Sequence, residues 1–148
     1  MRIAIIEDNP NYQNVIKIRI EEHNKNTKHE KFDVEYFLDS HDFGKAALDQ
    51  YKIIISNVNL PNLKGTKLID SIKSKTDADL ALMSSKNGWL SKEIVDDKRI
   101  ATIIDKNKPD QIVEWLKYMQ SRTLINDVQE EVRTAIDECS NEISNIKE

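Results

Sequence analysis

Apolar residues gather in four short runs, IAII (3–6), YKIIIS (51–56), LALMS (80–84) and IATII (100–104), with longer polar stretches between them. Runs this short, three of them rich in isoleucine, suit strands buried on both faces better than helices. A fifth stretch, FDVEYFL (32–38), alternates and predicts a more exposed strand. Helical spacing fills the intervals. Tyr12, Val15, Ile16, Arg19 and Ile20 follow Asn9 as a cap and Pro10 as a first helical residue. Phe43, Ala46 and Ala47, with the stem of Lys45, follow Ser40 as a cap, and Leu68, Ile69 and Ile72 follow Gly65. The polar connection HNKNTKHEK (23–31) carries no chemistry of its own.

Strand and helix thus alternate five times, which predicts an α/β fold: a five-stranded parallel sheet, doubly wound, with helices on both faces. Ligand sites in such sheets lie beyond the carboxyl ends of the strands. The residues there are Glu7 and Asp8 after the first strand of the chain, Asn57 after the third, Ser84 after the fourth and Lys106 after the fifth. Adjacent carboxylates offer oxygen ligands to a hard cation such as Mg²⁺. A lysine offsets phosphoryl charge and a small hydroxyl hydrogen-bonds a phosphoryl oxygen. A carboxylate at position 57 would complete the set as a nucleophile, but the residue is an amide.

These residues resemble the receiver domains of two-component response regulators, through IIEDNP, IIISNVNLPNLKG, LALMSS and IIDKNKP in order over roughly residues 1–121. The resemblance implies a flavodoxin-like receiver fold, an acidic pair at Glu7 and Asp8, a phosphoryl acceptor position at Asn57, and Ser84 and Lys106 as its companions. It also implies Mg²⁺ held by Glu7, Asp8, Asn57 and the backbone of Asn59. Lys108, before Pro109, also fits the lysine position, and Ser85 neighbours Ser84; Lys106 is favoured because it closes the strand directly and leaves Pro109 to start the last helix. Two departures stand out. An amide is a poor nucleophile without charge, so the usual acyl phosphate should not form on Asn57, and Mg²⁺ binding should be weak or absent. Ile103 stands where the family usually carries an aromatic that reorients.

The last part of the chain differs in composition. The chain has 22 basic and 26 acidic residues; Arg122 to Glu148 holds three and seven of these, leaving 19 and 19 before it, so this stretch carries the whole net charge of −4. Ile125, Val128, Val132, Ala135, Cys139 and Ile146 fall on a three–four spacing, flanked by Ile136 and Ile143. That pattern predicts a helical element over 122–148, appended to a domain over 1–121, either as a coiled-coil seam that pairs with a second copy or as an amphipathic helix folded on its own domain. Cys139 within the stripe is expected to be a small buried residue. Trp89 and Trp115 read as packing residues, and Tyr12, Tyr118 and the histidines as structural or solvated.

Composition limits the function classes. A net negative charge implies no direct nucleic-acid contact. The start MRIAIIEDNP reads as neither a signal peptide nor a membrane span, and a single cysteine permits no internal disulfide, which points to a cytoplasmic location. The resemblance implies a non-enzymatic signalling module that binds a histidine kinase, a phosphotransfer protein or an effector. Asn57 is then either native to a pseudo-receiver or an exchange of aspartate in an ordinary Mg²⁺-dependent receiver. A Toprim-like nuclease would need carboxylates where Asn57 and Asn59 stand, and a scaffold would use the acidic helix as its binding element.

Overall fold

The computed structural model of the 148-residue chain describes residues 1–85, 94 and 96–147. Trp89, and the helix expected between the fourth and fifth strands, lie outside the described residues. Five parallel strands form one sheet: β1 (Arg2–Ile6), β2 (Asp33–Phe37), β3 (Ile53–Asn57), β4 (Asp79–Ser84) and β5 (Ile100–Asp105), in the order β2-β1-β3-β4-β5. The described helices are α1 (Pro10–Asn26), α2 (Ser40–Phe43), α3 (Gly65–Ile72) and α4 (Asp110–Ile146).

Burial follows the apolar runs. All five residues of β3 are buried, as are the last four of β1 and the last five of β4, because these strands have neighbours on both sides. Tyr51, Ile54, Leu68, Ile69 and Phe43 meet in the core beneath one face. Two strands sit at the sheet edges. The alternating β2 is one, and its partial burial matches its pattern. The other is β5, where the expectation of two buried faces fails: Ile100, Thr102 and Ile103 are half-buried, Ala101 is exposed and Ile104 alone is buried. An edge strand has one paired flank, so its side chains are less completely covered.

Helix ends follow local chemistry. The Asn9 side chain accepts from the Asn11 and Tyr12 amides at 2.9 and 3.3 Å, and Pro10 opens α1 as expected. The helix expected after Ser40 is shorter and starts differently. Asp39, not Ser40, is the cap: its carboxylate accepts from the Asp42 amide at 2.7 Å, a charge-assisted bond that the Ser40 hydroxyl cannot match. α2 stops after one turn at Gly44, with Ala46 and Ala47 beyond it, and a 3₁₀ turn at Leu48–Gln50 leads into β3.

Gly65 positions the site. A Cβ on this residue would lie 2.0 Å from the Asn57 carbonyl oxygen and 2.8 Å from Ser56 Oγ. Only glycine lets the start of α3 approach the end of β3 this closely. The Gly65 amide donates to the Val58 carbonyl at 2.9 Å and closes the loop that follows Asn57.

The chain forms two units, Met1–Val113 and Glu114–Glu148. In the second, every residue from 121 to 147 is exposed. Cys139 is therefore exposed, contrary to the expectation of burial, because its apolar stripe is uncovered in the single chain. Trp115 is half-buried and Tyr118 exposed. Among the described residues no helix is long and apolar enough to cross a membrane.

Candidate functional site

Parallel pairing brings the carboxyl ends of the inner strands together. Ile6 pairs with Ser56, Asn57 with Met83, and Ser84 with Asp105, so the residues that close β1, β3, β4 and β5 share one rim of the sheet. Glu7 and Asp8 leave β1 there, and Lys106 leaves β5.

Glu7 is fully buried, and its Oε2 lies 2.8 Å from Lys106 Nζ, itself largely covered. At that distance the lysine ammonium is the charge partner of this carboxylate oxygen. Oε1 accepts from the Asn9 amide at 3.0 Å. Burial raises the carboxyl pKa above its ordinary value, and the Lys106 ammonium and Asn9 amide oppose that rise.

Asn57, also buried, points its amide nitrogen into the acidic pocket. Nδ2 donates to Asp8 Oδ1 at 2.9 Å and to the Asn59 carbonyl at 2.9 Å, with Glu7 Oε1 at 3.5 Å. Its Oδ1 accepts from the Asn59 amide at 3.4 Å. The network fixes this orientation, since the reversed amide would set its oxygen against three acceptor oxygens.

The amide group therefore sits among the oxygens that a divalent cation would need. A cation requires acceptor atoms, and the Asn57 atom facing Asp8 is a donor. Glu7 is already ion-paired, and the Asn59 carbonyl is already engaged. As arranged, these residues do not fit Mg²⁺. Among the described residues no group of three or more His, Cys, Asp or Glu side chains is placed to hold a metal.

Ser84 is buried, and its carbonyl accepts from the Lys106 amide at 3.0 Å; Ser85 is exposed. Lys108 is exposed as well, so Lys106 is the lysine brought to Glu7. Ile103 is half-buried and pairs in register with Leu82.

Sequence reasoning missed Tyr12, which it set aside as structural or solvated. The Tyr12 hydroxyl donates to the Lys106 carbonyl at 3.1 Å, and Lys106 Nζ lies 4.5 Å from the centre of its ring. Burial, then the charges of Glu7 and Asp105, push the phenol pKa up to about 12, which keeps it a hydrogen-bond donor. Ring and hydroxyl together hold the lysine over Glu7. Its placement in the first turn of α1, just after the acidic pair, was the available signal.

No protein-family model matches the chain, and no curated protein matches it. Solved structures do. The RcsB response regulator of Salmonella typhimurium is 21% identical with a TM-score of 0.69, over 82% of this chain and 62% of the RcsB chain. This chain thus spans less than two thirds of that protein. The non-phosphorylated receiver domain of RcsB from Escherichia coli is 21% identical with a TM-score of 0.65, over 82% of this chain and 93% of the domain. The response regulator TrrA of Thermotoga maritima, solved with Mg²⁺ and beryllofluoride, is 20% identical with a TM-score of 0.58, over 79% and 96%. With its strand order, its flanking helices and its cluster at the strand ends, this chain has the fold of a response-regulator receiver domain.

Proposed function

We propose that this chain is a receiver-type signalling module that works by protein–protein binding and takes no phosphoryl group at position 57. The observation that carries this reading is the Asn57 amide, bonded to Asp8 and to the Asn59 carbonyl. An acyl phosphate needs a carboxylate oxygen as nucleophile, and the amide oxygen is neutral and weak. The pocket also keeps only one surplus negative charge, on Asp8, where an aspartate at position 57 would add a second to draw a divalent cation. Glu7 and Lys106 neutralise each other, and the Asp8 carboxylate accepts from the Asn57 amide at 2.9 Å.

The site then serves as a fixed element of surface. Lys106 and Tyr12 hold β5 to α1, and Asn57 ties the β3 loop to the end of β1, so the face that contacts a partner is held in one state. Histidine kinases, phosphotransfer proteins and effectors are the partner classes. Residues 122–148 set the assembly state by pairing with a second copy. Cytoplasmic signalling, without catalysis and without direct nucleic-acid contact, fits this reading.

A second reading is that an ordinary receiver carries asparagine in place of aspartate; the preserved Glu7, Asp8, Ser84 and Lys106 favour it. Intact-mass spectrometry after incubation with acetyl phosphate and Mg²⁺, on this chain and on Asn57→Asp, separates the two. The proposal expects neither protein to gain a phosphoryl group. A gain by Asn57→Asp alone selects the second reading. A gain by the unaltered chain, at any residue of the pocket, overturns both.

A further inference from the structure

From Ile125 to Ile146, apolar residues recur at intervals of 3, 4, 4, 3, 4 and 3 positions. Six of the seven are isoleucine or valine, between 52% and 83% exposed, and the seventh is the exposed Cys139. The mean interval is that of a coiled-coil seam, about 3.5 residues, with two successive four-residue steps, Val128 to Val132 to Ile136, that locally unwind it. This seam runs through Ile136 and Ile143. The alternative through Ala135 would place Glu142 at its core.

We infer that this stripe pairs, parallel and in register, with the same stripe of a second copy of the chain. The inference deepens the assembly role proposed for residues 122–148 and stands apart from the phosphoryl question. Three features favour it. First, Asp127, Glu130, Asp137 and Glu138 project away from the seam, so the acidic surplus stays in water. Second, in a parallel pair the residue before a core position meets the residue five places further along the partner, which sets Glu142 opposite Lys147 of the other copy and places no like charges together. An antiparallel pair covering the whole stripe would turn the Glu131 flank of one helix toward the Glu142 flank of the other. Third, seven side chains from each of two copies remove on the order of 1,000 Å² of apolar surface from water, the size at which specific interfaces begin. Gln129, Glu131, Arg133 and Glu142 border the seam, where a third helix would bury them, so the charges select two strands.

Cys139 reports the register. Helices packed 8–10 Å apart, with Cα atoms about 2.3 Å from each axis, bring facing Cα atoms to roughly 3.4–5.4 Å, a range that overlaps disulfide reach. A parallel in-register pair is the arrangement that sets Cys139 against its own copy.

The test uses the full chain. Light scattering at tens of micromolar should give twice the 17.2 kDa chain mass. Incubation with oxidised glutathione should then form a Cys139–Cys139 disulfide dimer, the two thiols passing two electrons and two protons to the glutathione disulfide. Cys139→Ser should pair without cross-linking. Ile136→Glu should give the single-chain mass with the first unit still folded by circular dichroism. Glu142→Lys should weaken pairing several-fold, and the double exchange Glu142→Lys with Lys147→Glu should restore it. A single-chain mass with an intact helix overturns both this inference and the assembly role. A double mass without the Cys139 cross-link overturns the parallel register alone, and a triple mass overturns the two-stranded pair.

Discussion

Isoleucines do opposite things in the two units. On β1 and β3 they are at most 1% exposed, whereas on the second unit Ile125, Ile136 and Ile143 are each more than half exposed. Polar groups reverse the pattern. The first unit hides Glu7, Asn57 and Ser84 beneath the strand ends, where Glu7 and Asn57 meet charged or hydrogen-bonded partners. The second keeps its charges in water and its apolar stripe uncovered. The difference teaches that the first unit pairs its buried polar pocket internally, through Glu7 with Lys106 and Asn57 with Asp8, while residues 125–146 of the second leave an apolar stripe exposed, the surface proposed above to meet a second copy.

Truncation at matched residues tests this contrast hardest. Ile54→Ala, which empties space in a core where Ile54 has no exposed surface, should lower the stability of the first unit by about 3 kcal/mol in denaturant unfolding. Ile136→Ala should change that same transition by less than about 0.5 kcal/mol. Equal losses would erase the distinction between the units.

The buried ion pair comes next. Lys106→Ala leaves the Glu7 carboxylate buried without its cation, which should cost up to about 3 kcal/mol at neutral pH. The sign of the pH dependence follows from Glu7. Its folded pKa is already raised by burial, and removal of Lys106 raises it further. The variant should therefore recover stability relative to the unaltered protein as pH falls through that folded pKa, and lose it as pH rises. Unfolding midpoints across an acid-to-neutral series would read this, and a loss that grows toward acid would contradict it.

The smallest effect belongs to the start of α1. Asn9→Ala removes the side-chain acceptor for two first-turn amides and should cost about 1 kcal/mol, measured by the same unfolding curves. The pocket would survive this change, because Asn9 reaches Glu7 through its backbone amide.

Much of the first unit was legible because its signals are local. A run such as IIIS can be read as a buried strand without knowledge of its neighbours, and Asn9–Pro10 announces a helix within two residues. The candidate cluster could be drawn from the sequence because Glu7, Asn57 and Lys106 follow such runs and Ser84 ends one, so the topology that orders the strands brings these positions to one rim. What escaped depends on distant or surrounding structure. Tyr12 meets Lys106 across 94 residues of sequence, with no periodic signal linking them. The half-burial of β5 follows from its place at the sheet edge, and edge position is a property of strand order. Asp39 displaced Ser40 as a cap because two adjacent acceptors compete for the first-turn amides and the carboxylate makes the stronger, charge-assisted bond. For Cys139, spacing identified the apolar face correctly and said nothing of whether the chain covers it.

The central claim is that the Asn57 amide fills the place of a cation. Its most direct test is thermal unfolding with and without Mg²⁺, on this chain and on Asn57→Asp. The account predicts that Mg²⁺ leaves the unaltered midpoint where it is. Asn57→Asp, with a third carboxylate facing Asp8 and two donated hydrogen bonds lost, should unfold at lower temperature without the metal and regain stability with it. A Mg²⁺-dependent rise in the midpoint of the unaltered chain, saturating with concentration, would contradict the account.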